Sequence, residues 1–217
     1  MKKGSTELVF ILDKSGSMSG LDKDTIGGFN SMLEKQKALE GECRITTVLF
    51  DNRYEILHDR IDIRAVSAMT EKEYQVGGST ALLDAIGQTI QKLIQVQKNT
   101  TEEYRAENVM FVIITDGEEN ASREYSVQKV KAMIEHEREK DGWEFVFLGA
   151  NIDAVSTAQS FGISAECAVD YVPDAQGTEL NFRVMSDAVA AFRECKMAPQ
   201  ASLDAIREDM KKRGRRK

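Results

Sequence analysis

At 217 residues, 41% hydrophobic and 30% charged, the chain is long enough for one domain with a substantial core and has an ordinary soluble composition. A net charge of −7 argues against a general nucleic-acid binder; residues 211–217 carry six positive charges, which leaves −13 on the first 210. Three widely spaced cysteines, Cys43, Cys167 and Cys195, make no Cys-x-x-Cys and point to reduced thiols in an intracellular protein. The first apolar run is too short for a secretion signal core, and no stretch reaches the length of a membrane span. A cytoplasmic location is expected.

The run Leu8-Val9-Phe10-Ile11-Leu12 predicts a strand buried on both faces. Asp13-Lys14-Ser15-Gly16-Ser17 follows it directly, so one carboxylate and two hydroxyls stand at a strand end. Alternation predicts that Lys14 points away from Asp13 into solvent. Residues 21–39 predict a helix with Ile26, Phe29 and Leu33 on one face. Gly27-Gly28 inside it predicts close packing against a sheet, and Gly41 ends it. Cys43 to Phe50 alternates and is rich in β-branched residues, a strand; Asp51-Asn52 is a turn into a second strand from Tyr54. A two-residue connection makes that pair antiparallel.

Residues 58–79 are polar and poorly patterned, ending in Gly77-Gly78, whose glycines allow a sharp bend before Ser79 and Thr80. Residues 81–97 predict a helix with an apolar stripe that includes Leu82, Ile86, Ile90 and Leu93. Val109 to Ile114 is the most buried strand candidate, and Thr115-Asp116-Gly117 closes it. Glu118 and Glu119 read as first-turn acids of the helix near 126–139. Trp143 reads as a packing residue before the strand Phe145 to Leu148. A helix near 152–161, a strand from Cys167 to Val172, a loop bounded by Pro173 and Gly177, and a helix marked by Leu180, Val184, Ala188 and Phe192 complete the pattern. Residues 1–199 are expected to form the domain and 200–217 a charged extension, helical near Leu203 to Met210, whose basic tail is solvated. Strands alternating with helices imply a parallel sheet covered on both faces.

Asp-x-Ser-x-Ser at Asp13–Ser17, Gly77-Gly78-Ser79-Thr80 and Thr115-Asp116-Gly117, in that order, resemble the von Willebrand factor A domain and its metal-ion-dependent adhesion site. The resemblance, to standalone bacterial-type members, covers roughly residues 6–195. It implies a doubly wound, three-layer α/β/α Rossmann-like fold with a six-stranded, mostly parallel sheet in the order 3-2-1-4-5-6 and one antiparallel edge strand. In that order the first and fourth strands are neighbours, so Asp13 and Asp116 meet at the topological switch point. It also implies a metal set of Asp13, Ser15, Ser17, Thr80 and Asp116, with the Ser15 and Ser17 hydroxyls binding Mg²⁺ directly, Thr80 binding directly or through water with the conformational state, and the carboxylates acting mainly through water or by orienting the hydroxyls. Mn²⁺ or Ca²⁺ are alternatives. Few charged direct ligands leave a position open for a carboxylate, so the implied partner is a protein offering an Asp or Glu. No nucleic-acid partner is expected, apart from contacts through the basic tail.

The alternative is a Mg²⁺-dependent hydrolase or phosphotransferase using the same rim. Its other parts are missing from the sequence. Gly16-Ser17-Met18-Ser19-Gly20 puts Met18 where a nucleophile would stand, and no buried strand leads into Gly77-Gly78-Ser79-Thr80-Ala81. His58 and His136 are the two histidines, and both read as solvated. No phosphate-cradling glycine loop occurs, and Ser15 stands where an aspartyl-phosphate enzyme has a second aspartate. A binding module rather than an enzyme is expected.

Overall fold

The computed structural model describes residues 2–214, with residues 2 and 3 by backbone alone. Leu8, Phe10 and Leu12 enter one apolar cluster while Val9 and Ile11 enter another. Successive side chains of a strand point to opposite faces, so an uninterrupted apolar run needs cover on both sides. That run lies in β1 (Lys2–Asp13), with β2 (Cys43–Phe50) on one flank and β4 (Ala106–Thr115) on the other, both parallel to it. β3 (Tyr54–Asp62) pairs antiparallel with β2, and β5 (Glu144–Gly149) and β6 (Ala168–Asp170) continue parallel beyond β4. The sheet order is β3-β2-β1-β4-β5-β6, as the resemblance implied.

One face is covered by α1 (Asp22–Lys37), α5 (Ala175–Cys195) and α6 (Asp204–Arg213), through Phe29, Phe182, Met185 and Ile206. The other is covered by α2 (Leu82–Asn99), α3 (Val127–Asp141) and α4 (Ala154–Ser160), through Ile86, Ile90, Ile134 and Ala158. Trp143 packs as expected, its ring stacked on Phe111 at 5.5 Å.

Several expectations are corrected. Gly28 packs against a helix rather than the sheet: a Cβ there would stand 2.3 Å from the Phe182 ring of α5. Gly177 is inside α5, not in a loop, because Asp174 caps that helix by accepting from the Gly177 amide at 2.8 Å. The last strand is only three residues, since a 3-10 turn takes up Ala165–Cys167; its last residue, Asp170, stays in register with Gly149 while its side chain accepts from the Ala154 amide at the start of α4. His58 is buried, not solvated; its Nδ1 lies 3.0 Å from Thr47 Oγ1 and its ring is parallel to Phe29.

The charged extension is also folded. Leu203 and Ile206 are buried in the main core, and Arg213 bridges Asp174 and Asp209. Apolar positions spaced three apart on an otherwise charged helix are enough to dock it. The basic tail expected to be solvated is therefore held on the body as far as Arg213; residues 215–217 lie outside the described residues.

Candidate metal centre

β1 and β4 are hydrogen-bonded neighbours with Leu12 opposite Ile114, so Asp13 and Asp116 emerge at the same rim. Asp13 is held from both sides. Its Oδ1 accepts from the Ser15 amide at 2.7 Å and its Oδ2 from Thr115 Oγ1 at 2.6 Å. The first bond closes a tight turn that swings the Ser15 and Ser17 hydroxyls to 2.9 Å of each other. Thr80 Oγ1 donates to Ser15 Oγ at 3.0 Å, so three hydroxyls from two loops meet at one point. A Cβ at Gly117 would stand 2.9 Å from Ser17 Oγ and 3.0 Å from Thr80 Oγ1, so only glycine leaves that space free.

The Thr80 loop reaches this point because it is pinned on both edges. Gly78 has φ +79°, and a Cβ there would strike Asn52 Oδ1 at 2.4 Å. The Gly77 amide donates to the Lys14 carbonyl, and the Gly78 carbonyl accepts from the Gly16 amide. On the far side the Thr80 amide donates to Asn120 Oδ1 and the Asn120 amide to the Thr80 carbonyl, each at 3.0 Å.

The electrostatics are those of a site built for positive charge. Asp116 is buried, and its Oδ1 has no hydrogen-bond partner among the described residues. Burial pushes the Asp116 carboxyl above its usual range against a hydrogen bond from Ser17. Burial also raises Asp13, against hydrogen bonds from Thr115 and Ser15, and the nearby Asp116 charge raises it further. Two carboxylates drawn out of water beside each other disfavour their charged forms, and a cation between them reverses that. Among the described residues no group of three or more His, Cys, Asp and Glu side chains is placed to hold a metal ion. The donors here are two carboxylates and three hydroxyls, an all-oxygen set that fits a hard divalent cation. All five residues expected at the rim come together.

Lys14 departs from its expectation. It is buried, and its Nζ lies 3.0 Å from Glu55 Oε1 on β3. Its ammonium meets the antiparallel edge hairpin and not solvent. Arg53 Nε stands 3.6 Å from the same Glu55 oxygen and its guanidinium holds Asp51, so a four-charge cluster braces the loop against the hairpin turn.

Sequence reasoning missed four supporting residues. Thr115 stands out in the sequence only as part of a motif, and Tyr74, whose hydroxyl donates to the Asp13 carbonyl, lies in an unpatterned stretch. Asn120 gave no signal. Glu119 was read as an acid of the following helix; it belongs to α2 instead. Its Oε2 accepts from the Leu83 amide at 2.8 Å, and its Oε1 accepts from the amides of Ala121 and Ser122 at 3.0 and 2.7 Å. One carboxylate thus caps α2 and shapes the loop that holds Thr80. Glu119→Ala is expected to lower stability by about 2 kcal/mol, since it strips a cap and several charge-assisted bonds. Metal affinity should fall with it, and Glu119→Gln should recover part of both. Urea melts and calorimetric Mg²⁺ titration read the two effects; an unchanged Glu119→Ala protein would assign the cap elsewhere.

No protein-family model and no curated protein sequence matches the chain. Solved structures do. One is proximal thread matrix protein 1 from the mussel byssus with a zinc-occupied metal-ion-dependent adhesion site motif, at 14% identity and a TM-score of 0.58, covering 86% of this chain and 46% of that one. Another is a von Willebrand factor type A protein from Catenulispora acidiphila, at 15% identity and a TM-score of 0.58, covering 86% and 43%. A third is the manganese-loaded TRAP protein of Plasmodium vivax, at 20% identity and a TM-score of 0.52, covering 69% and 58%. The chain spans about half the length of these structures.

Proposed function

From the von Willebrand factor A fold, which this chain has, we propose that it is a divalent-cation-dependent protein-interaction module rather than an enzyme. Ser15, Ser17 and Thr80 would hold the cation, with Asp13 and Asp116 supporting it. The observation that carries this reading is the orphaned Asp116 Oδ1 beside three converging hydroxyls under a glycine. A buried polar atom without a partner is costly unless something supplies one. Mg²⁺ is the proposed ion, since it tolerates few protein ligands and keeps waters. Zinc and manganese named in two of the similar structures support a divalent site in general.

When bound, the cation supplies an uncompensated positive charge that attracts an anionic oxygen. The chain's own contribution is to keep its hydroxyl donors neutral and to hold Thr80 from a separate loop. The partner is therefore a protein presenting an exposed Asp or Glu. The histidines give no support to acid–base chemistry at this rim: His58 is packed against Phe29 and Thr47, and His136 is exposed on α3. Three free cysteines, two of them buried, suit a reducing compartment, in keeping with a cytoplasmic location. No helix among the described residues is long and apolar enough to cross a membrane.

The test is retention of a partner on immobilised protein in Mg²⁺, followed by release in chelator. Wild type should hold a protein that chelator elutes, and Thr80→Ala should hold none of it. Changing the partner's carboxylate to an amide should abolish retention, because it keeps shape and removes charge. Equal retention in chelator would sink the reading.

A further inference from the structure

Thr115 closes β4 with no exposed surface, and the sheet fixes its backbone on the far side from β1. It stands in register with Gly149 of β5, and its carbonyl accepts from the Ala150 amide at 3.0 Å. From that fixed point its hydroxyl reaches two turns. Oγ1 donates to Asp13 Oδ2 at the end of β1, at 2.6 Å, and accepts from the Gly117 amide at 3.3 Å. The hydroxyl has one proton and a second acceptor in reach, the Gly117 carbonyl at 3.2 Å. The carboxylate takes that proton, being the nearer acceptor and the charged one. One buried oxygen thus ties the turn that carries Ser15 and Ser17 to the turn that carries Asp116 and Gly117.

We propose that Thr115 is a positioning residue whose hydroxyl sets the width of the metal centre and, through it, the choice of Mg²⁺ over Ca²⁺. The inference rests on the metal-dependent reading above and adds to it the residue that selects the ion. Asp13 holds the Ser15 amide through Oδ1 at 2.7 Å. Gly117 bounds the other two hydroxyls, since a Cβ there would stand 2.9 Å from Ser17 Oγ and 3.0 Å from Thr80 Oγ1. Thr115 Oγ1 is bonded to Asp13 and to Gly117 at once, so it fixes how far apart these two boundaries of the hydroxyl cluster lie.

The two cations make different demands on that separation. Mg²⁺ requires near-octahedral oxygens at about 2.0–2.1 Å, whereas Ca²⁺ accepts about 2.3–2.6 Å in flexible geometry. A frame held to within a few tenths of an ångström favours the smaller ion, and a looser frame still serves the larger one. Removing the hydroxyl cuts both bonds and leaves all five rim residues in place. Its effect should therefore fall on selectivity before it falls on binding as such.

Titration calorimetry of the full chain with Mg²⁺ and, separately, with Ca²⁺ tests this on wild type, Thr115→Val and Thr115→Ser. Thr115→Val keeps the shape and removes the hydroxyl. It should lose about 10- to 100-fold in Mg²⁺ affinity, the scale for cutting a group that supports metal ligands. Its Ca²⁺ affinity should fall by no more than about threefold, because Ca²⁺ tolerates the looser geometry. Thr115→Ser keeps the hydroxyl and should keep the wild-type ratio of the two affinities. Amide exchange in chelator gives a readout that needs no metal: the Gly117 amide should exchange faster in Thr115→Val than in wild type or Thr115→Ser. Where Thr115→Val does not fold, Thr115→Ala, which also lacks the hydroxyl, takes its place. Equal losses for both ions, no loss for either, or a changed ratio in Thr115→Ser would overturn the inference and leave the metal reading intact. So would a wild type that shows no preference for Mg²⁺. A wild type that binds neither ion would overturn both.

Discussion

Asp116→Ala is expected to lower Mg²⁺ and Mn²⁺ affinity by about 100-fold, the scale seen when a residue that supports metal ligands is removed. Its Oδ1 is buried with no partner among the described residues, and burial already holds its carboxyl above the ordinary range. Without the carboxylate, the Ser15, Ser17 and Thr80 hydroxyls still converge, but Asp13, whose oxygens are already taken by Ser15 and Thr115, is left to balance a cation there. The metal-free protein should be as stable as wild type or slightly more so, because an unsatisfied buried group costs about 1–3 kcal/mol. The sign of that effect separates a binding residue from a structural one, which would destabilise when cut. Titration calorimetry and thermal melts in chelator read the two quantities. Equal metal affinity in variant and wild type would remove Asp116 from the site.

Phe111→Ala is expected to cost about 3–5 kcal/mol of stability, the range for deleting a buried aromatic ring. Phe111 lies on central strand β4 with no exposed surface, stacked on Phe145 at 4.8 Å and on Trp143 at 5.5 Å. These rings fill the layer between the sheet and the helices α2 and α3, and neighbours on a strand and a helix cannot both collapse into the void. The loss approaches half the stability of a typical domain, so the urea midpoint should fall with little change in slope. Folded Phe111→Ala should still bind Mg²⁺ as wild type does, since the ring is in the core and the ligands are on rim loops. A cost under about 1 kcal/mol would mean that the layer repacks around the missing ring.

The two variants divide along the line between what was legible in the chain and what was not. β1 and β4 announce themselves as unbroken apolar runs, and each ends in the residues that form the rim. The Gly77-Gly78 bend was legible for a similar reason, since a sharp turn needs a residue free of side-chain clash. Boundaries near edges were less so. β6 begins only at Ala168, because a 3-10 turn takes up Ala165–Cys167 and with it the expected first residue of the strand.

The sequence by itself determined the α/β alternation, the sheet order through its resemblance, and the five oxygen-bearing residues of the rim. Those properties are carried by local periodicity and by short motifs, which survive in one dimension. Only the tertiary structure decided the fate of single charged side chains. Lys14 is buried because a hairpin about forty residues further on supplies Glu55, and Glu119 caps a helix that precedes it in the chain. Leu203 and Ile206 draw an apparently solvated extension onto the core. A charged side chain's surroundings depend on which distant segment lies opposite it, and burial is favourable only where that segment brings the matching charge or apolar surface.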